Sequence, residues 1–260
     1  MRFHWMNRGD ISSVQEIKDL SQILNKNKYY SILLTYHSKN KDFLIKSFKA
    51  ASNKENLKYM IAIRTYAITP EYMAMICKSY NEEFPGKLIL NIVSGDLHKD
   101  ESSIKDLLYI SELVDTPEKR LSYTKKWVEK FNEITNGYTP EIFMSGHSDE
   151  TRTMANQFDA THISMLDMYK EYLKKTNRIV NKKQMISLSI LIRDSKKEAE
   201  DFIRNNANGN GLGWTLYGTQ KEVISQIKDL ENFGVTDIII AKIDNDEKEH
   251  LIHEIIRSLT

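Results

Sequence analysis

The sequence predicts a (β/α)8 (TIM) barrel, and three observations support this. Short apolar runs alternate along the chain with longer amphipathic stretches, a pattern typical of a parallel sheet covered by helices. The runs are continuously apolar rather than alternating, as expected for strands that are buried on both faces. Eight such units in 260 residues fit one barrel domain that spans residues 1–260. A doubly wound open sheet is the structural alternative.

The eight predicted strands are runs rich in isoleucine, leucine, methionine and aromatic residues. They cover residues 3–6, 30–35, 59–64, 88–93, 141–146, 160–164, 185–192 and 235–243. Helices are predicted from the spacing of apolar residues over 12–24, 43–51, 69–84, 100–109, 117–135, 149–157, 166–175, 195–204, 219–233 and 246–259. Two boundaries carry specific signals: Thr69 and Pro70 suit a helix start, and Gly234 suits a helix end.

The composition excludes several classes of function. Lys and Arg number 37 against 36 Asp and Glu, and a net charge of +1 argues against a nucleic-acid partner. The single cysteine, Cys77, rules out a disulfide framework and a cysteine-rich zinc site. No apolar run approaches the ~20 residues of a membrane span, and the N-terminus lacks a signal-peptide pattern. The expected location is the cytoplasm, without a membrane partner.

The active site of such a barrel lies at the carboxyl ends of its strands. The residues there are rich in hydroxyls and poor in carboxylates, and no group has metal-ligand spacing, so a metal enzyme is disfavoured. They are Asn7, Arg8, Thr35, Tyr36, His37, Arg64, Thr65, Tyr66, Asn91, Ser94, Gly95, Asp96, Ser145, Gly146, His147, Ser148, His162, Ser164, Ser187, Ser189 and Lys242.

The junction after the fifth strand is the most informative of these. The chain passes from strand to helix through Gly146 and places Ser148 and Thr151 at the helix start. Backbone N–H groups and small hydroxyls in that position suit a phosphate. An ordinary N-cap at Ser148 explains the same residues. Gly218 and Thr219 form a second junction with the same two interpretations, whereas residues 209–213 are interpreted as a flexible loop.

Several segments together resemble one known family. Residues 61–64 (IAIR) and 86–96 (GKLILNIVSGD) resemble the third and fourth strand–helix units of the bacterial luciferase-like flavin-dependent monooxygenases. Residues 142–155 resemble that family's flavin-phosphate segment, residues 190–199 its seventh strand, and residues 217–237 its last strand–helix unit. The matches are collinear over nearly the whole chain, and the alkanesulfonate monooxygenase branch is the most similar.

The resemblance implies a barrel that holds reduced FMN, or in one branch the deazaflavin F420. It implies a separate flavin reductase as partner, oxidation of a small organic or carrier-bound substrate with O2, and pairing into a homodimer. The residues that match flavin-contacting positions are Ser94, Ser148 and Thr151 for the phosphate, with Ser145, Gly146 and His147 beside them, and Thr35, Asn91 and Arg64 for the ring. Tyr36, His37 and Arg64 are the catalytic candidates, although His37 also suits a solvent-facing loop.

The sequence departs from the sulfonate enzymes at several positions. Ser187 and Ser189 stand where those enzymes carry an arginine and a histidine, and Arg8 replaces a histidine. The long insertion after the seventh strand is reduced to residues 199–213, so a partner chain or a carrier is expected to complete the site. These departures argue against a sulfonate substrate. Two other functions stay open: a non-catalytic flavin-binding protein, and an F420 oxidoreductase that uses no oxygen.

Overall fold

A computed structural model describes residues 1–7, 13–35, 43–53, 55–94, 116–146, 148–176, 182–206, 211–243 and 246–260. The strands are β1 (Arg2–Asn7), β2 (Ser31–Leu34), β3 (Lys58–Arg64), β4 (Leu88–Val93), β5 (Glu141–Ser145), β6 (Thr161–Met165), β7 (Gln184–Ile192), β8 (Thr215–Gly218) and β9 (Asp237–Ala241). The helices are α1 (Val14–Lys26), α2 (Phe43–Ala50), α3 (Pro70–Glu83), α4 (Pro117–Ile134), α5 (Asp149–Gln157), α6 (Leu166–Thr176), α7 (Lys196–Asn206), α8 (Gln220–Asn232) and α9 (Glu249–Leu259).

The strands close a parallel barrel. Each of β1 to β7 pairs with the next strand along the chain, and β9 pairs with both β7 and β1, which completes the ring. The ring contains the eight strands that the sequence predicts, so the barrel is confirmed and the open sheet is not the fold. The helix predicted over residues 100–109 lies outside the described residues.

The strand β8 is an addition that the sequence did not predict. The upper half of β7, from Ser189 to Ile192, pairs with β8, whereas the lower half pairs with β9. The run Thr215–Gly218 has four residues beside a 3-10 turn at Leu212–Trp214, too short to be distinguished from a loop by its apolar pattern. The upper half of β7 therefore extends beyond the ring of strands, and its residue Ser189 lines the mouth of the barrel.

Side chains alternate between the inside of the barrel and the helices outside. One buried cluster fills the interior, and fully burying each such side chain contributes roughly 1.5–3 kcal/mol to stability. It consists of Leu33, Met60, Ala62, Ile89, Phe143, Ile163, Met185 and Ile239. The opposite faces of the same strands pack against the helices in a much larger cluster. The interior is therefore closed beneath the carboxyl ends of the strands, and only the mouth above it can take a ligand.

A polar network lies at the amino ends of the strands. His4 on β1 is fully buried inside the barrel at this lower end. Its Nε2–H donates to the Asp237 carboxylate (2.9 Å), so its Nδ1 accepts from the Ser31 hydroxyl (2.6 Å). Arg2 bridges Asp237 and Glu141. Polar groups at this end of a barrel serve stability rather than catalysis.

Candidate active site at the barrel mouth

The first cavity, the mouth cavity, has a volume of about 540 Å³ and lies at the carboxyl ends of the strands. Its floor is apolar and its rim carries hydroxyl groups. The described residues that line it are Met6, Leu33, Val93, Ser94, Arg120, Ser145, Gly146, Ile163, Ser164, Met165, Ser187, Leu188, Ser189, Trp214, Ile239 and Ala241. A volume of this size is typical of a site for a small molecule or cofactor.

A second cavity of about 760 Å³, the helix-start cavity, lies beside the first between the beginnings of α4 and α5. It is lined by Pro117, Glu118, Leu121, Ser122, Lys125, Ser148, Asp149, Glu150, Thr151, Thr153, Met154 and Gln157. Three further residues, Ser94, Arg120 and Gly146, line both cavities. The two spaces are therefore neighbours that meet where β4, β5 and α4 come together.

The segment from Ser145 to Thr151 connects the two cavities. The strand β5 ends at Ser145, whose hydroxyl donates to the Asn91 side-chain oxygen on β4 (2.8 Å). The chain turns at Gly146, whose carbonyl accepts a hydrogen bond from His162 Nε2 (2.9 Å). Ser148 then caps α5, because its Oγ accepts from the Thr151 backbone N–H (3.2 Å). The N-cap interpretation is correct, and the capping residue and the first turn of α5 (Ser148, Asp149, Glu150 and Thr151) line the helix-start cavity.

The charge at the helix-start cavity is mixed. Arg120 is buried between the cavities and Lys125 stands beside it, while Glu118, Asp149 and Glu150 lie at the starts of α4 and α5. Hydrogen bonds to its own backbone amide and to Ser148 lower the pKa of the exposed Glu150 carboxyl. An anion bound here would replace the Glu150 carboxylate at the N-terminus of α5. It would also be attracted by the buried guanidinium of Arg120.

The structure brings together most of the predicted cofactor residues. Asn91, Ser94, Ser145, Gly146, Ser148 and Thr151 all lie at the two cavities or are bonded to their lining. Thr35 and Arg64 line neither cavity: the Thr35 hydroxyl donates to the Asn7 carbonyl (3.2 Å), and Arg64 donates to the Tyr66 hydroxyl (2.8 Å). Tyr36, His37 and His147 lie outside the described residues.

Two residues of the site were missed or undervalued in the sequence. Arg120 had no local signal, because it is one of many charged residues in a long amphipathic helix. Its burial follows only from the packing of α4 beside α5. Trp214 precedes the short strand β8, which the sequence did not predict, and it lines the mouth with its Nε1–H donated to Asp167 (2.7 Å).

Other kinds of site are not found in the described ranges. Within them, no three His, Cys, Asp or Glu residues come close enough together to hold a metal ion. In the part of the chain that the structure describes, every helix is too short or too polar to span a bilayer.

Comparison with known proteins gives matches in structure but not in sequence. No family model matches the chain, and no curated protein matches it. The EDTA monooxygenase EmoA from Chelativorans sp. BNC1 superposes with a TM-score of 0.76 at 10% identity, over 100% of this chain and 93% of that one. The riboflavin lyase RcaE, solved with modified FMN and riboflavin, gives a TM-score of 0.75 at 11% identity, over 100% and 91% of the two chains.

A third structure is the coenzyme F420 dependent tetrahydromethanopterin reductase from Methanopyrus kandleri. It gives a TM-score of 0.70 at 12% identity, over 98% of this chain and 97% of that one. At such low identities the likeness shows the fold alone. That fold is the (β/α)8 barrel that the sequence predicts.

Proposed function

We propose that this protein is a flavin-dependent oxidoreductase, and specifically a monooxygenase that uses reduced FMN delivered by a separate reductase. The observation that carries the proposal is the pair of adjoining cavities. The mouth cavity offers a mainly apolar space for a flat ring, and the helix-start cavity offers the hydroxyls of Ser148 and Thr151 and the buried cation of Arg120 for a phosphate. The fold shared with EmoA and RcaE supports the same assignment.

The residues at both cavities fit an FMN molecule. Ser94, Ser148 and Thr151 would bind the phosphate, and Arg120 would neutralise part of its charge. Gly146 lines both cavities, and it packs so closely on the start of α5 that a Cβ on it would come within 2.7 Å of the Thr151 side chain. The glycine therefore holds the turn against α5, beside the space that a ligand extending from one cavity into the other would occupy.

The protein's contribution to the reaction is positioning and exclusion of water. When bound, reduced flavin supplies the electrons with which O2 is activated and the substrate is oxidised. Leu33, Ile163 and Ile239 form an apolar floor that keeps water from beneath the ring. The Ser145 hydroxyl fixes the orientation of the Asn91 amide, and these two groups would hydrogen-bond to the polar edge of the ring.

The catalytic residues remain part of the proposal. Tyr36 and His37 come directly after Thr35 in the sequence, and an ordinary histidine titrates in the range that proton transfer needs. Arg64 belongs to the proposal only through its position at the end of β3, since the structure places it beside Tyr66 rather than in either cavity. We further propose that residues 1–260 act as one domain.

A homodimer is also proposed, on an exposed apolar face. Ile45 and Phe48 on α2, and Tyr72 and Met75 on α3, are large apolar side chains in contact with solvent. The two helices are adjacent, because the Phe48 ring packs on that of Tyr80 in α3 at 5.4 Å. We propose that these four side chains belong to one apolar patch, because a large exposed apolar patch marks an interaction site.

The test is a titration with reduced FMN under nitrogen, followed by mixing with air. The proposal expects saturable binding of one FMN per chain and reoxidation that differs in rate from that of free reduced FMN. Binding with reoxidation at the free rate, and no oxidised product from any substrate, would favour the non-catalytic flavin-binding protein. Binding of F420 in place of FMN would favour the F420 oxidoreductase. Failure to bind either would contradict a flavin function.

A further inference from the structure

We infer that the substrate is an uncharged, mainly apolar molecule with one hydrogen-bonding oxygen, held between Trp214 and the serines of β7. This inference rests on the proposed function, because it assigns to the substrate the side of the mouth cavity that lies away from the helix-start cavity. It is carried by three features of that side: two hydroxyls, one aromatic wall and the lack of a charged side chain among the residues that the structure describes there.

The two hydroxyls belong to Ser187 and Ser189. They alternate with Leu188 along β7, so both point into the barrel, and both line the mouth cavity. Neither hydroxyl bonds to another residue that the structure describes, whereas the nearby Ser145 and Ser164 hydroxyls bond to Asn91 and His162. A serine hydroxyl can donate and accept, and two of them side by side suit one carbonyl or alcohol oxygen.

The aromatic wall is Trp214. It is the exposed member of the three tryptophans, with 39% of its surface accessible against 4% for Trp5 and 3% for Trp127. The hydrogen bond from its Nε1–H to Asp167 (2.7 Å) joins the turn before β8 to the start of α6. The indole is thereby fixed at the rim with an apolar surface next to the cavity, which suits a hydrocarbon portion of the ligand.

The two ends of the mouth cavity differ in charge. Arg120 is the one charged residue among the described residues that line the mouth, and it also lines the helix-start cavity. The proposed function engages it with the phosphate of FMN. On the far side the described lining consists of Ser164, Met165, Ser187, Leu188, Ser189 and Trp214. A carboxylate or sulfonate bound there would lose its hydration without gaining a charged partner.

The experiment uses octyl compounds that differ only in the head group. The FMN-loaded protein is titrated by calorimetry with 1-octanol, octanoate and octanesulfonate, and Trp214 emission is followed in parallel. We expect 1-octanol to bind at least tenfold more tightly than either anion and to perturb the tryptophan emission. Equal or tighter binding of octanoate or octanesulfonate would overturn the inference while leaving the flavin function intact.

Three variants test where 1-octanol binds, and a measurement of FMN binding shows whether each variant is folded. Trp214→Ala is expected to weaken 1-octanol about tenfold, whereas Phe233→Ala, which removes an exposed aromatic ring at the far end of α8, should leave it unchanged. Ser187→Lys is expected to reverse the preference between 1-octanol and octanoate. Unchanged 1-octanol binding in Trp214→Ala, or an unchanged preference in folded Ser187→Lys, would contradict the site. FMN binding is measured first, so a protein that binds no FMN is recognised as a failure of the proposed function and of the inference that rests on it.

Discussion

Gly146 and Thr151 approach each other so closely that a methyl group on the glycine would lie 2.7 Å from both the hydroxyl and the methyl group of the threonine. Thr151 is buried in the first turn of α5, so no simple rotation of its side chain relieves the contact. The loop that separates the two cavities is therefore held against the helix start by the absence of a side chain.

Replacing Gly146 with alanine should damage the cofactor site. The added methyl must push the loop away from α5, at a cost of about 1–3 kcal/mol in stability. Because Gly146 lines both cavities, we expect FMN to bind roughly tenfold more weakly, which is ~1.4 kcal/mol. Gly137→Ala is the matched control: it strains a backbone with φ of +93° in open space, far from the cavities. Its melting temperature should fall while its FMN affinity stays that of the wild type. If Gly146→Ala binds FMN as tightly as the wild type does, Gly146 is not part of the FMN site.

The His4 network predicts a loss of stability in mild acid. Burial lowers the pKa of His4 below its ordinary value of 6.5, and the hydrogen bond to Asp237 offsets this only in part. Below pH ~6.5 the unfolded chain binds a proton there that the folded chain does not, so the free energy of unfolding falls by up to ~1.4 kcal/mol per pH unit. Denaturant unfolding between pH 7.5 and 5.5 measures this slope.

His4→Gln should flatten that slope, whatever its effect on stability at pH 7.5. A residual slope is expected from His253, whose pKa is also lowered by burial. A wild-type pH dependence in His4→Gln would mean that this histidine is not the buried neutral group described.

Cys77 is expected to be chemically inert in the folded protein. Burial raises the pKa of its thiol to about 12, so almost no thiolate is present at neutral pH. An aromatic disulfide reagent should label it at the rate of global unfolding, and addition of denaturant should expose it at once. Rapid stoichiometric labelling of the native protein would show that α3 opens locally or that the thiol is accessible.

The proposed interface on α2 and α3 predicts that the protein is a homodimer in solution. Placing lysine at both Ile45 and Met75, which are 60% and 65% exposed, should convert a dimer to a monomer without loss of fold. Sedimentation velocity measures the change, with Phe233→Lys as an exposed apolar control on another face. A wild-type protein that sediments as a monomer, or a double variant that remains dimeric, would contradict the proposed interface.

The fold could be predicted from the sequence because each strand and helix of the barrel has a local sequence pattern. Strands buried on both faces appear as continuous apolar runs, and the N-caps at Thr69 and Ser148 are local as well. The strand β8 was missed because four residues carry too little pattern. Arg120 was missed for a different reason: its burial between two helix starts depends on how α4 packs beside α5, which no local spacing encodes. Ser187 and Ser189 were placed among the polar residues at the carboxyl ends of the strands because they lie in a continuous apolar run that predicts a strand.

The most direct test of the central claim compares FMN with riboflavin, which lacks the phosphate. If the helix-start cavity binds the phosphate, wild-type protein binds FMN much more tightly than riboflavin, and Ser148→Ala with Thr151→Ala removes most of that difference while changing riboflavin binding little. Thr69→Ala removes a comparable cap from α3, with the same 3.2 Å bond, and should keep the full preference for FMN. An equal affinity for FMN and riboflavin in the wild type, or a preference that survives in the double variant, would contradict the account.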